Sequence, residues 1–227
     1  MPPKPRPAVG GGRWVEVTPT RLPGWLNGFA GRHGAYHVTD FDTALRITAV
    51  DGTTVALWPP PGAPLRSEVD EFVQEALRPR RIGLLLARQS AVAVGIADGP
   101  KLVESKVDTS YVQSRTAAGG WSQQRYARRR ENQAKAAAES AADLTVRLLL
   151  PAVPSLSTVV TGGDRRTVEA ILADPRLAPV VAARSDRFLD VREPRLAVLR
   201  EAVDAARTVR LLVEDPPPDS PLHGIWD

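Results

Sequence analysis

The chain has 227 residues, with 30 Lys and Arg against 26 Asp and Glu and no cysteine. Without cysteine it has no disulfide framework, no thiolate nucleophile and no Cys-ligated zinc or iron–sulfur site. Its longest apolar runs fall far short of the roughly 20 residues that span a bilayer, and the early prolines and glycines deny it a secretory leader, so a cytoplasmic protein with no membrane partner is expected.

Met1 to Gly12, rich in Pro and Gly, reads as a disordered leader. Residues 14–34 bring Trp14, Val17, Leu22, Trp25, Leu26 and Phe29, yet Pro19, Pro23 and several glycines interrupt them. A strand and a short helical turn docked on a main domain are expected there. Alternation over 36–38 and 44–50, then Asp51-Gly52, then 55–58, reads as strands with a hairpin. Pro59 to Pro64 reads as a linker closing a small N-terminal β-rich unit over 13–64.

From Ser67, a candidate N-cap, the period becomes helical, with Val69, Phe72, Val73, Ala76 and Leu77 on one face and Pro79 as the stop. Runs at 81–87, 90–97 and 102–107, joined in part by Asp98-Gly99-Pro100, predict three adjacent strands. A long Ala-rich helix follows within 124–149, then a strand at 155–160 and helices at 166–173 and 179–184. A short strand at 188–191, a final helix over 195–213 and a Pro-rich tail from 215 complete the reading. A meander followed by alternating helices and strands predicts an α/β domain over 65–214, a mixed β-sheet flanked by helices.

The charge is unevenly spread. Residues 113–135 carry six positive and one negative side chain and residues 1–35 five and one, whereas 36–112 and 136–227 are net acidic. A localised basic patch is the electrostatic footprint of a protein that meets a polyanion, nucleic acid in particular. The larger patch holds the one long polar connection, Gln113 to Ser122, leading into a helix that opens with Arg125, Arg128, Arg129 and Arg130. Cations at a helix N-terminus oppose the macrodipole by about 0.3–1 kcal/mol each. A phosphate partner turns that repulsion into attraction.

Gly119-Gly120-Trp121-Ser122-Gln123 on a tip before an Arg-rich helix resembles the catalytic domain of eukaryotic and archaeal class-1 peptide release factors. It is more similar still to the Vms-like release factor family of ribosome quality control, whose tip motif Gly-x-x-Gln is matched by Gly120-Trp121-Ser122-Gln123. The doubled Gln123-Gln124 leaves two registers, and the zinc-finger and ankyrin parts of the larger relatives are absent. The resemblance implies a ribonuclease-H-like α/β fold and hydrolysis of peptidyl-tRNA on stalled ribosomes or large subunits. In that reading Gln123, flanked by Gly119 and Gly120, orients the attacking water. Arg125, Arg128, Arg129, Arg130 and Lys135 contact rRNA or tRNA phosphates, and Trp121 or Tyr126 stacks on a base. No cofactor or metal is implied, and a monomer is expected. Cleavage of the tRNA near its 3′ end and non-catalytic RNA binding are the alternatives.

Other clusters read as structural. His33, His37 and His223 are too scattered for a metal site, and Thr161-Gly162-Gly163-Asp164 fits neither phosphate-loop nor dinucleotide spacing and reads as a tight turn from strand to helix. Asp186, Asp190 and Glu193 lie among Arg184, Arg187, Arg192 and Arg195, which predicts surface ion pairs.

Overall fold

The computed structural model describes residues 5–9, 11–88, 91–109 and 122–216, with side chains throughout except at 40, 41 and 122–131. The chain divides into two compact units, residues 1–78 with 207–227, and residues 79–206.

The first unit starts with β1 (Arg6–Pro7), β2 (Arg13–Val17), α1 (Leu22–His33), β3 (Tyr36–Phe41), β4 (Leu45–Ala49), β5 (Thr54–Trp58) and α2 (Val69–Leu77). Strands β4 and β5 form the expected hairpin, pairing Thr48 with Thr54 around Gly52 at φ 87°. Residues 22–33 form a full 12-residue helix despite their glycines, because Leu22, Leu26 and Phe29 recur at helical spacing and are all buried. They pack with Phe72, Val73 and Ala76 of α2 over Ile47, Val55 and Leu57 of the sheet. The boundary expected near residue 64 therefore falls after Arg78, since the apolar face of α2 belongs to the N-terminal core. Ser67 is not the cap; Glu68 occupies that position, with no side-chain cap bond. The expected leader also contains β1, which pairs antiparallel with β2.

The second unit contains β6 (Arg81–Arg88), β7 (Ala91–Asp98), β8 (Lys101–Asp108), α3 (Ser122–Leu149), β9 (Thr158–Gly163), α4 (Arg165–Leu172), α5 (Ala178–Ala182), β10 (Arg184–Leu189) and α6 (Leu196–Ala206). Among the described residues its sheet has the order β10-β9-β6-β7-β8. The three meander strands pair antiparallel, while β6–β9 and β9–β10 pair parallel. This is the mixed sheet flanked by helices that the sequence pattern predicted. Strand β6 is apolar on both faces because both are covered. Leu85 and Ala87 meet α3, α4 and α5 through Leu144, Leu148, Ile171 and Val180. Ile82, Leu84 and Leu86 meet α6 through Leu199, Ala202 and Val203.

The helix expected over 195–213 stops at Ala206. It is followed by β11 (Val209–Glu214), which lies between β2 and β5 at the centre of the first unit's sheet. Val209, Leu211 and Val213 are buried and alternate with half-buried Arg210, Leu212 and Glu214, a two-residue period that only a half-buried strand satisfies.

The end of α3 nearest the sheet is held firmly. Ala141, Ala142, Leu144, Thr145, Leu148 and Leu149 are buried there, and the Thr145 hydroxyl donates to the Ala141 carbonyl at 2.7 Å. On the opposite side of the helix Asp143 accepts from the Arg176 guanidinium at 2.7 Å, and the same guanidinium donates to Asp174 at 2.6 Å. Asp174 also accepts from the Arg176 backbone N–H and so caps the turn Pro175–Leu177. These hydrogen bonds from Arg176 hold the Asp174 carboxyl at about 2, against about 3.9 in an unfolded chain.

Gly163 sits at φ 103°, where a Cβ would collide with the Ala87 carbonyl oxygen, whereas a Cβ on Gly31 meets nothing within 4 Å. Gly163→Ala is expected to cost more than about 1 kcal/mol, and Gly31→Ala to stabilise by about 0.5–1 kcal/mol, both read by denaturant unfolding. Because the folded value of Asp174 is depressed, its pairing with Arg176 stabilises fully above about pH 4, and that stabilisation disappears as pH falls toward about 2. A carboxyl-carbon NMR titration is expected to give that low midpoint, returning to the ordinary carboxylate range in Arg176→Ala.

Candidate functional site: a basic helix end beyond the meander

The polar connection that carries the tip motif runs from the end of β8 to the start of α3. Gly119, Gly120 and Trp121 lie outside the described residues. Gln123, Arg125, Tyr126, Arg128, Arg129 and Arg130 fall in the first turns of α3, where the backbone is described and the side chains are not. Lys135 is described and exposed on the same helix.

The packing of α3 explains how such a segment can be presented. Side chains from 132 to 140 are exposed or half-buried, and burial begins only at Ala141. At 1.5 Å per residue, α3 runs about 28 Å from Ser122 to Ala141. Leu144, Leu148, Leu149 and the Asp143–Arg176 pair fix the C-terminal end of this helix. Six cationic side chains against one acidic one lie between 113 and 135, so the far end is the basic end. Arginines at a helix N-terminus are unfavourable in isolation. The Ala-rich body of the helix, Ala134 and Ala136 to Ala138, supplies high intrinsic propensity where little packing does.

Elsewhere the candidate clusters resolve into structural roles. Asp164 caps α4, accepting from the Thr167 backbone N–H at 2.8 Å and from its hydroxyl at 2.7 Å. Those bonds lower its carboxyl below the ordinary range, and Thr161–Asp164 makes the tight turn from the end of strand β9 into helix α4 that its spacing predicted. His33 Nδ1 lies 2.8 Å from Asp51 Oδ2 and 3.2 Å from the Thr53 hydroxyl, joining the end of α1 to the β4–β5 turn. His37 is exposed on β3 and His223 lies outside the described residues. Among the described residues no group of three His, Asp or Glu side chains is placed to hold a metal ion. Glu193 pairs with Arg195 at 3.5 Å, but Asp190 pairs with Arg88 and Arg184 with Glu169, partners distant in sequence. The Asp143–Arg176–Asp174 cluster goes beyond what the sequence predicts; its only local sign is Asp174 before Pro175, a capping residue ahead of a first-turn proline.

The family model falls chiefly on the second unit. A family model described as the Actinobacteria/chloroflexi VLRF1 release factor matches residues 80–212. Among solved structures, the archaeal translation termination factor aRF1 is similar at 16% identity and a TM-score of 0.44, over 85% of this chain and 63% of that one. A chain described as an archaeal protein is similar at 17% identity and a TM-score of 0.37, over 68% and 48%. The chain thus spans less than two thirds of either structure's length, and no curated protein matches it. With the family model covering both the basic helix and the sheet that anchors it, and more than half of the 227 residues, the chain belongs to the VLRF1 release factor family.

Proposed function

We propose that this protein hydrolyses the ester of peptidyl-tRNA on ribosomes or large subunits, freeing the nascent chain, with Gln123 as the residue that orients the attacking water. The observation that carries this reading is the family match across residues 80–212, which contains the Gly120-Trp121-Ser122-Gln123 motif and the Arg-rich start of α3. Family membership implies work at the ribosome. The ester hydrolysis and its residues are the finer reading.

The chemistry asks little of the protein beyond placement. A water oxygen attacks the ester carbonyl carbon, the bond to the terminal ribose oxygen breaks, and that oxygen takes a proton. The products are a free peptide carboxylate and a deacylated tRNA. A neutral glutamine amide orients water by hydrogen bonding without acting as a base, and the reaction gains from alignment and from stabilising the developing oxyanion. Gly119 and Gly120 keep the tip narrow. Arg125, Arg128, Arg129, Arg130 and Lys135 supply cations for phosphates, and Trp121 or Tyr126 a ring for a base. The partners in this reading are rRNA and peptidyl-tRNA of the large subunit. The protein acts as a cytoplasmic monomer; among the described residues no helix is long and apolar enough to cross a membrane.

On peptidyl-tRNA–large-subunit complexes, Gln123→Ala is expected to slow peptide release about a hundredfold while leaving ribosome association intact. Unchanged release in Gln123→Ala with loss in Gln124→Ala moves the tip by one residue, and unchanged release in both removes the assignment. Mapping the tRNA 3′ end separates ester hydrolysis from RNA cleavage. Replacing Arg128, Arg129 and Arg130 by Gln is expected to lower the slope of log affinity against log salt by about 0.7–0.9 for each phosphate no longer neutralised, measured by ribosome sedimentation across a salt series.

A further inference from the structure

The first unit carries a feature that peptide release does not use. Its sheet has the order β1-β2-β11-β5-β4-β3, and α1 and α2 pack on the face formed by Val17, Ile47, Val55, Leu57, Val209, Leu211 and their neighbours. The alternate residues face the other way. Register pairs Trp14 with Leu212, Leu212 with Ala56, and Arg210 with both Glu16 and Trp58. Trp14 and Trp58 thus flank the central strand β11, and their rings meet at 5.2 Å between centroids, tilted by 46°. The Arg210 guanidinium lies 4.8 Å from the centroid of the Trp14 ring.

Beneath the rings Ala56 is fully buried, while Trp14, Trp58, Arg210 and Leu212 are half-buried. This helix-free face thus presents two indoles over a small-residue floor. Core packing does not require that choice, because aliphatic residues already fill the helix-covered face. Neighbouring cations on the unit are neutralised: Arg46 pairs with Glu214 at 3.2 Å, Arg6 with Glu16 at 3.5 Å and Arg13 with Asp215 at 3.1 Å. Among the described residues Arg210 meets the Trp14 ring and makes no ion pair.

We propose that this sheet face is a stacking platform for an unpaired RNA base, with Trp14 and Trp58 offering ring surface and Arg210 a cation for the adjoining phosphate. Aromatic side chains on an open antiparallel sheet are a recurrent way to hold single-stranded RNA, and stacking tolerates any base because every base has a π-face. The 5.2 Å between the rings leaves no slot for insertion, so the base lies on the outer indole surface beside the guanidinium. A proline-rich peptide also docks on aromatic rings, but it carries no charge for Arg210 to meet. A guanidinium with no ion pair among the described residues therefore favours the polyanion. The inference goes beyond peptide release and does not involve Gln123.

The test uses the full chain with Arg125, Arg128, Arg129 and Arg130 replaced by Gln, which removes the other basic surface, and short unstructured oligoadenylate as the probe. Affinity by fluorescence anisotropy is expected to fall about tenfold in Trp14→Ala and in Trp58→Ala, to recover in Trp14→Phe, and to fall several-fold in Arg210→Gln. Ultraviolet cross-linking is expected to place nucleotide on the peptides containing Trp14 or Trp58. Unchanged affinity in Trp14→Ala and Arg210→Gln, with native melting curves, overturns the proposal. So does protection of the indoles by a proline-rich peptide but not by oligoadenylate. If the alanine variant fails to fold, the Trp14→Phe and Arg210→Gln pair decides. Gln123→Ala is expected to leave oligoadenylate binding unchanged, so failure of the platform and failure of the release reading are separately visible.

Discussion

Burial of β6 on both faces is the constraint from which the second unit follows. A strand carrying Ile82, Leu84, Leu85, Leu86 and Ala87 in near succession has no face to give to water, so helices must cover both sides of the sheet it centres. One side recruits α6. The other recruits α4, α5 and the C-terminal third of α3. The N-terminal part of the 28-residue helix is polar and basic in sequence. Core packing at one end thereby fixes the direction of a segment whose own composition could never anchor it.

The sheet of the first unit answers a different demand. Its helices cover one face only, and the strands obey it with strict alternation, as in the buried Leu45, Ile47 and Ala49 of β4 against half-buried Arg46 and Thr48. That arrangement leaves a second face whose residues are chosen for something other than the core. The Trp14–Trp58–Arg210 cluster lies there, and so do the Arg46–Glu214 and Arg6–Glu16 ion pairs.

Local patterns were legible wherever the neighbour that satisfies them is near in sequence. The β4–β5 hairpin, the three-strand meander, the long helix and the short helices after β9 all show in period and punctuation. What stayed hidden depends on distant partners. Val209 to Glu214 reads as a helix extension until β2 and β5, more than 150 residues earlier, supply a strand on each side. The apolar stripe of α2 is plain in the sequence, but nothing local says that Phe72 faces Phe29 and Leu57 and not the strand that follows it. At the candidate site the order is reversed. The basic run and the Gly-x-x-Gln spacing are visible in the residues themselves, whereas the clamp through Asp143, Asp174 and Arg176 joins positions whose charges look like ordinary surface until the fold brings them within 3 Å.

The place of β11 also bears on the order in which the protein is made. The strand at the heart of the first unit's sheet is encoded after the whole of the second unit. During synthesis, β2 and β5 must wait with their inner edges unpaired while the β6–β9 sheet and its helices emerge and close. Only when Val209 to Glu214 leaves the exit tunnel can the opening third of the chain complete its core, so the protein finishes folding its beginning last.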